Sequence, residues 1–318
     1  MEKFQTKTIN AAYFATPELA VSLLCALSKS EYIKIRLVVT QADKKGDRER
    51  MTAPPIKNEA ERLHLPVLQP TSLTDPAFVK KFKKANIDVC ILFAYGSIIP
   101  ATLLDIPPYG WVNVHPSLLP KYRGASPIQW TILNGDTKGG ISLIQMDEGI
   151  DTGPLIDQWA FPVDPRETAT TLSKKVSEKA ALWIPQRVKN YCEGTAEPYN
   201  QATQGESQTR RLTKADGHIN WSKNASKIGR RIRAYTPWPG TYSLADAQRI
   251  KILEAVEAGP AKTSLPPGTT EQINGKLLVH CGNRTTLQIL RVQKAGKAPQ
   301  SASEFLRGFP TIVGIKLT

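Results

Sequence analysis

Asn113 and His115 stand two residues apart at the end of the apolar run GWVNVH. On an extended strand, residues two apart share a face, so both side chains are expected on one side of a sheet, at its carboxyl end. An Asn amide can donate to a carbonyl oxygen that is gaining negative charge. A His can stabilise that oxygen or move a proton. A second polar run, Met146-Asp147-Glu148-Gly149-Ile150-Asp151-Thr152-Gly153, follows the apolar stretch GGISLIQM. Its glycines allow tight turns, and it is expected to be another carboxyl-end loop. Asp151 there could orient His115 or receive its proton. Each segment also fits a plainer reading, the Asn-x-His pair as a hydrogen-bonded turn and the Asp as a turn or cap residue. Spacing alone does not join loops that lie 36 residues apart.

The elements that would position these residues alternate. TINAAYF, IKIRLVVT, IDVCILFA and GWVNVH read as apolar strands. Helical patterns follow Thr16-Pro17, with Thr16 as N-cap, and run through PPIKNEAERLH, PAFVKKFKKA and SPIQWTIL. A longer helix is expected from Thr168 to about Tyr191. Wholly apolar strands alternating with helices predict an α/β fold with a parallel-rich sheet covered on both faces, in the Rossmann manner. Ligands of such sheets bind at the carboxyl ends of the strands. Residues 1–190 are therefore expected to form a catalytic domain. The polar stretch 191–208 is expected to be a linker. From 209 to 318 the pattern changes to short apolar runs, RIKILEAV, KLLVHCG and TTLQILRV, behind a short helix NASKIGRRIRAY. Such spacing predicts a small β-barrel or sandwich.

The charge divides along the same line. The 318 residues carry a formal net charge of +14. Residues 209–318 hold 18 Lys and Arg against 6 Asp and Glu, so nearly all the surplus falls there. A folded segment this basic points to a polyanionic partner, because Lys and Arg that neutralise phosphates release counterions. The cysteines, Cys25, Cys90, Cys192 and Cys281, and the histidines, His64, His115, His218 and His280, are dispersed. That spacing predicts free thiols of a reducing, cytoplasmic setting and no metal site. MEKFQTKTIN has no long apolar run and no 18-residue apolar stretch occurs anywhere, so neither a signal peptide nor a membrane span is expected.

NVHPSLLPKYRGASPIQ followed by MDEGIDTG resembles the signature of the 10-formyltetrahydrofolate-dependent formyltransferases. The resemblance implies that Asn113, His115 and Asp151 act together on the formyl group of the folate. It also implies that Ser117, Leu118, Leu119 and Pro120 contact that folate. The implied reaction is acyl transfer between nitrogens, in which an uncharged amine attacks the formyl carbon and an oxyanion forms. Asn113 and protonated His115 would stabilise that oxygen, and Asp151 would help carry the amine proton to the departing nitrogen. Neither a metal nor a covalent enzyme intermediate is called for.

Members of that family differ in acceptor. From Ala11 onward, including YFATPELA, FAYGSIIP and GHINWSKNASKIGRRIRAYTPWPGTY, the chain resembles the branch whose acceptor is methionyl-tRNA, with initiator tRNA implied and no obligate protein partner. The resemblance also implies that residues 209–318 form a small OB-like, oligonucleotide-binding β-barrel that binds tRNA. The loop TQADKKGDRERMTAPPIK is similar to a basic loop that this branch inserts at the acceptor end of tRNA. Lys44, Lys45, Arg48 and Arg50 are its candidates, with Arg48 expected to fill the key arginine position. Arg230, Arg231 and Arg233 are candidates for phosphate contact, whereas Trp238, between two prolines, is expected to pack at a domain edge. Ala15 stands where the family has Gly, and Ala42 where it has Pro. A transferase acting on a nucleotide-linked amino sugar shares the same site residues but has less reason for the basic tail. A non-catalytic RNA-binding protein accounts for the tail but not for the three site residues.

Overall fold

A computed structural model describes residues 8–45, 51–261 and 263–318. Two compact units divide the chain. The first comprises Met1–Gly124, Lys138–Pro162 and Ser173–Thr209, and the second Ala125–Thr137, Val163–Leu172 and Arg210–Thr318. In chain order the first half of the chain holds β1 (Ile9–Ala15), α1 (Val21–Ser28), β2 (Ile33–Val39), β3 (Lys44–Lys45), β4 (Met51–Thr52), α2 (Pro55–Arg62), β5 (Val67–Leu68), α3 (Pro76–Lys84), β6 (Val89–Phe93), α4 (Ala101–Leu104) and β7 (Trp111–His115). Then come β8 (Arg123–Gly124), α5 (Pro127–Asn134), β9 (Lys138–Gln145), β10 (Leu155–Pro162), α6 (Ala169–Cys192) and β11 (Gln208–Thr209).

The first unit is built on a seven-stranded sheet in the order β10-β9-β7-β6-β1-β2-β5. The five strands from β7 to β5 run parallel. The apolar sequence of β6, and the largely apolar ones of β1 and of β7 apart from Asn113 and His115, explain their central places, since both faces of such strands must be covered. Phe14 anchors one face, its ring centroid 4.5 Å from Trp111 and 5.4 Å from Tyr95. Trp111 is held in turn by its indole N–H, which donates to the carbonyl of Leu103 at 2.8 Å.

Two expectations need correction. Thr16 does not cap the first helix; its hydroxyl donates to the carbonyl of Tyr95 at 2.8 Å and ties the end of β1 to the loop after β6. A 3₁₀ turn, Glu18–Ala20, then leads into α1. The second correction concerns the loop after β9. That strand pairs antiparallel with β7, with Gln145 opposite Val112 and Ser142 opposite His115. The hairpin between β9 and β10 therefore leaves beside the start of β7, not at the carboxyl edge of the parallel strands. Its loop must fold back for Asp151 to reach the end of β7.

In the second unit, α7 (Ala225–Tyr235) is capped by Asn224, whose side chain accepts from the Lys227 N–H at 2.9 Å. It precedes β12 (Thr241–Ala245), β13 (Gln248–Pro260), β14 (Thr270–Ile273), β15 (Lys276–Cys281), β16 (Thr285–Lys294), β17 (Gln300–Ser301) and α8 (Ala302–Gly308). These strands form an antiparallel sheet ordered β12-β13-β16-β15-β14, with β17 beside β16. Ile228 and Ile232 of α7 are buried in one cluster with Ile250, Ile252, Leu287 and Ile289 of the sheet. The chain end bridges the two edges of that sheet. Leu317 N–H donates to the Gly268 carbonyl at 2.9 Å, and Leu244 and Thr318 exchange backbone bonds of 2.7 and 3.0 Å. Among the described residues no helix is long and apolar enough to cross a membrane.

Candidate active site

Asn113 and His115 both lie on β7 and are buried, at 8% and 4% exposure. Their shared face meets Asp151. The Asn113 amide donates to Asp151 Oδ1 at 2.9 Å, and His115 Nδ1 lies 3.4 Å from Asp151 Oδ2. A third donor is the backbone N–H of Gly124, 2.8 Å from Oδ2. The structure thus joins the two segments that spacing could not join.

Local backbone explains how Asp151 gets there. It holds φ at +54°, in the left-handed region, which Asp visits at some cost. Two glycines let the hairpin loop close. A Cβ on Gly153 would stand 1.9 Å from the Gln145 carbonyl oxygen, and one on Gly149 would stand 2.0 Å from the Thr152 hydroxyl. Asp147 staples the same loop, accepting from Thr152 Oγ1 at 2.8 Å and from the Gly149 N–H at 3.0 Å.

The other ring nitrogen of His115 is engaged as well. Nε2 lies 2.9 Å from the backbone carbonyl of Tyr122. A carbonyl only accepts, so Nε2 carries a proton in that contact. Tyr122 and Gly124 were not legible as site residues, because what they contribute is backbone. A turn through positive φ at Tyr122 (+65°) and Gly124 (+95°) aims a carbonyl at His115 and an N–H at Asp151.

The candidate folate stretch follows directly. Ser117 is buried, and its hydroxyl donates to the Lys121 carbonyl at 2.6 Å. Leu119 is buried with Ile144 and Leu155, and its N–H donates to Ser142 Oγ at 3.0 Å. Leu118 and Pro120 are partly exposed. Leu118 lies over Gly140, where a Cβ would come within 2.3 Å of its Cδ2.

The basic candidates are distributed differently. Lys44 and Lys45 are exposed and pair with Thr52 and Met51 in a short antiparallel ribbon. Arg48 and Arg50 lie outside the described residues. At the base of the ribbon, Gln69 and Lys57 bond the Asp43 carboxylate and hold its pKa below the ordinary value. On α7, Arg230 Nε donates to the Leu133 carbonyl and Arg231 Nε to the Asp216 carbonyl, each at 3.0 Å. Arg233 is half-buried, and burial with Arg230 nearby lowers its pKa. Trp238, expected to pack, is 51% exposed. Sequence reading also missed a groove of about 590 Å³ on the second unit, lined by Arg166, Arg233, Lys251 and Arg291 together with Leu253 and Val256.

Two family models match the chain: formyl transferase over residues 9–188, and formyl transferase, C-terminal domain, over residues 211–310. The methionyl-tRNA formyltransferase of Thermodesulfovibrio yellowstonii is 40% identical over 301 residues, 93% of this chain and 94% of that protein. The Myxococcus xanthus methionyl-tRNA formyltransferase is 39% identical over 298 residues, with 93% and 94% covered. Among solved structures, an N-formyltransferase from Helicobacter canadensis, in complex with folinic acid and dTDP-3-aminofucose, superposes with a TM-score of 0.65. It is 19% identical over 90% of this chain and 100% of that one, a likeness of fold.

Proposed function

The chain belongs to the formyl transferase family, among its methionyl-tRNA formyltransferases, and from that premise we propose that Asn113, His115 and Asp151 carry its chemistry. The enzyme transfers the formyl group of 10-formyltetrahydrofolate to the amino group of methionyl-tRNA, for translation initiation. The observation that supports the three residues is one carboxylate, Asp151, in contact with both Asn113 and His115.

The reaction forms a bond from the amine nitrogen to the formyl carbon and breaks the bond from that carbon to the folate nitrogen. In between, the formyl oxygen takes up negative charge. An amide nitrogen has two N–H groups. Asn113 gives one to Asp151 and keeps the other for that oxygen. The His115 Nδ1 contact of 3.4 Å is longer than a settled hydrogen bond. A proton on Nδ1 can therefore be shared between Asp151 and a formyl oxygen brought alongside, while the Tyr122 carbonyl holds the ring. Among the described residues Asp151 Oδ1 accepts from Asn113 alone, so it has a lone pair for the proton that the attacking amine gives up. The departing nitrogen then receives that proton.

Ser117 to Pro120 run on from β7 and form one wall for the folate. Because the side chains of Ser117 and Leu119 face inward, their contacts with it are through backbone, and those of Leu118 and Pro120 through side chain. Residues 1–190 carry the chemistry and residues 209–318 much of the affinity for tRNA, with 191–208 between them. The Lys44–Lys45 ribbon, with Arg48 and Arg50 between its two strands in sequence, meets the acceptor end of initiator tRNA. Arg230 spends Nε on the Leu133 carbonyl and Nη1 on the Ser226 hydroxyl, and Arg231 spends Nε and Nη2 on the Asp216 carbonyl, so the remaining N–H groups of each, with Arg233, are the ones offered to phosphate. The enzyme needs no obligate protein partner and works in the cytoplasm, where translation supplies its acceptor.

The test is formylmethionine formation from 10-formyltetrahydrofolate and charged tRNA, run with the wild type and with Asp151→Asn. Formylation by the wild type and its loss in the variant are expected. An active Asp151→Asn enzyme would remove Asp151 from the mechanism.

A further inference from the structure

The polar stretch that composition reads as a linker is bonded to the active-site loops. Tyr199 exchanges backbone bonds of 2.8 and 2.7 Å with Leu155, just beyond the hairpin that carries Asp151. The Ser207 carbonyl accepts from the Arg123 N–H at 2.9 Å, and Ser207 Oγ accepts from the Tyr122 N–H at 2.9 Å. β11 then pairs parallel with β8, Gln208 opposite Arg123. Between these two anchors stands Gln201.

The Gln201 amide makes four bonds. Its Nε2 donates to the backbone carbonyls of Asp151 and Gly153, each at 2.8 Å. Its Oε1 accepts from Arg123 Nε at 3.1 Å and from Arg123 Nη2 at 2.8 Å. Arg123 Nη1 is in turn paired with Glu206 at 2.7 Å. A carboxamide is the side chain that supplies two donors and an acceptor at one point, and here one end grips each loop. On one side is the backbone of Asp151, held at positive φ. A conformation of that kind persists where its surroundings over-determine it, and a bond to the Asp151 carbonyl fixes the peptide that aims the carboxylate. On the other side is Arg123, between the Tyr122 carbonyl that faces His115 Nε2 and the Gly124 N–H that faces Asp151 Oδ2.

We propose that Gln201 is a positioning residue for formyl transfer: it clamps the Asp151 loop to the 120–124 loop and so sets Asp151 against Asn113 and His115. This rests on the reading of those three residues given above. Gln201 touches none of the reacting atoms, so its effect falls on turnover rather than on substrate binding. Misplacement of a reacting group by about 1 Å costs on the order of a hundredfold, and Gln201→Ala should lower kcat about tenfold to a hundredfold. KM for folate and for tRNA should stay within about twofold by the same reasoning, since neither is held by this amide.

Four single variants and one double variant in one formylation assay separate the possibilities. Gln201→Met keeps the length of the side chain without its polar atoms, and answers the question if Gln201→Ala does not fold. Gln201→Glu keeps an acceptor for Arg123 but sets a carboxylate against two carbonyls. If the clamp on Asp151 matters, Gln201→Glu is as slow as Gln201→Ala. Recovery of turnover in Gln201→Glu would mean that only Arg123 is being held, and would overturn the proposal. Wild-type kcat in both Gln201→Ala and Gln201→Met, or a change confined to KM, would overturn it too. Asp151→Asn is the fourth variant, alone and combined with Gln201→Ala. A slow Asp151→Asn enzyme that Gln201→Ala slows little further supports action through Asp151, and full additivity overturns it. An active Asp151→Asn enzyme rejects the underlying site instead, so the two failures are distinguishable.

Discussion

The Asn113 amide and the Asp151 carboxylate are 2.9 Å apart, although 38 residues separate them in sequence. The bond orients the amide: with one N–H committed to Asp151, the other has a fixed direction. Asn113→Ala removes a prospective oxyanion donor and takes the Asn113 partner from Asp151 Oδ1. Loss of one such donor commonly costs about a hundredfold or more in kcat. Single-turnover formylation should show that loss with little change in folate binding. Weakened binding at normal turnover would place Asn113 in the folate pocket rather than at the reacting oxygen.

Gly124 is a second pressure point. It holds φ at +95°, and a Cβ there would stand 2.6 Å from the Thr209 carbonyl oxygen, a backbone atom with little room to move. Its N–H is also a ligand of Asp151. Gly124→Ala should therefore destabilise the protein by about 1–3 kcal/mol and lower kcat together. Gly194 is the control. It too has positive φ, but a Cβ there would meet nothing within 4 Å. Gly194→Ala should lose some stability to denaturant and keep full turnover. Equal effects of the two substitutions on turnover would mean that Gly124 has no special bearing on Asp151.

The central strands were legible because β1, β6 and β7 are mostly apolar, and α2, α3 and α7 because proline or asparagine starts them and amphipathic spacing follows. The separate antiparallel sheet was legible from the change of pattern beyond Arg210. The direction of β9 was not, because an apolar strand has the same composition whichever way it runs. That is why the hairpin carrying Asp151 was expected at the wrong edge. Tyr122 and Gly124 were hidden because a backbone carbonyl and a backbone N–H leave no mark in side-chain type. Gln201 was hidden because a glutamine among polar residues looks solvated until its four bonds are seen. The exposure of Trp238 shows the limit of proline context as a guide to packing.

Asp216 gives the second unit a pH dependence. Its carboxylate accepts from Arg210 Nη1 at 2.8 Å, from the Thr213 N–H at 2.7 Å and from Thr213 Oγ1 at 2.9 Å. The Arg210 hydrogen bond, with those from Thr213, holds the Asp216 carboxyl well below the usual carboxylate range. A carboxyl whose folded pKa is depressed contributes stability in full above its unfolded value, about 3.9. That contribution is lost as pH falls through the lower folded value. Asp216→Asn should lower Tm at neutral pH, and the gap to wild type should close as pH falls below about 4. A gap that stays constant down to pH 2 would assign the loss to shape rather than to charge.

The groove on the second unit bears on the acceptor. Lys251 and Arg291 line it with Arg166 and Arg233, and Leu253 and Val256 add apolar lining. If it takes the tRNA backbone, each lost cation should weaken binding and flatten its salt dependence, by roughly 0.9 in log–log slope for each duplex phosphate no longer neutralised. The Lys251→Gln/Arg291→Gln double variant should thus raise KM for tRNA and reduce the slope by about 2, with kcat at saturating tRNA unchanged. Lys44 and Lys45 lie on the ribbon in the first unit. Lys44→Gln/Lys45→Gln should lower kcat as well, because a misplaced acceptor end puts the methionyl amine out of line with the formyl carbon. Titration of both variants at several salt concentrations compares the two surfaces directly. An unchanged slope in the groove variant would leave Lys251 and Arg291 as surface charge and shift the search for phosphate contacts to Arg230 and Arg231.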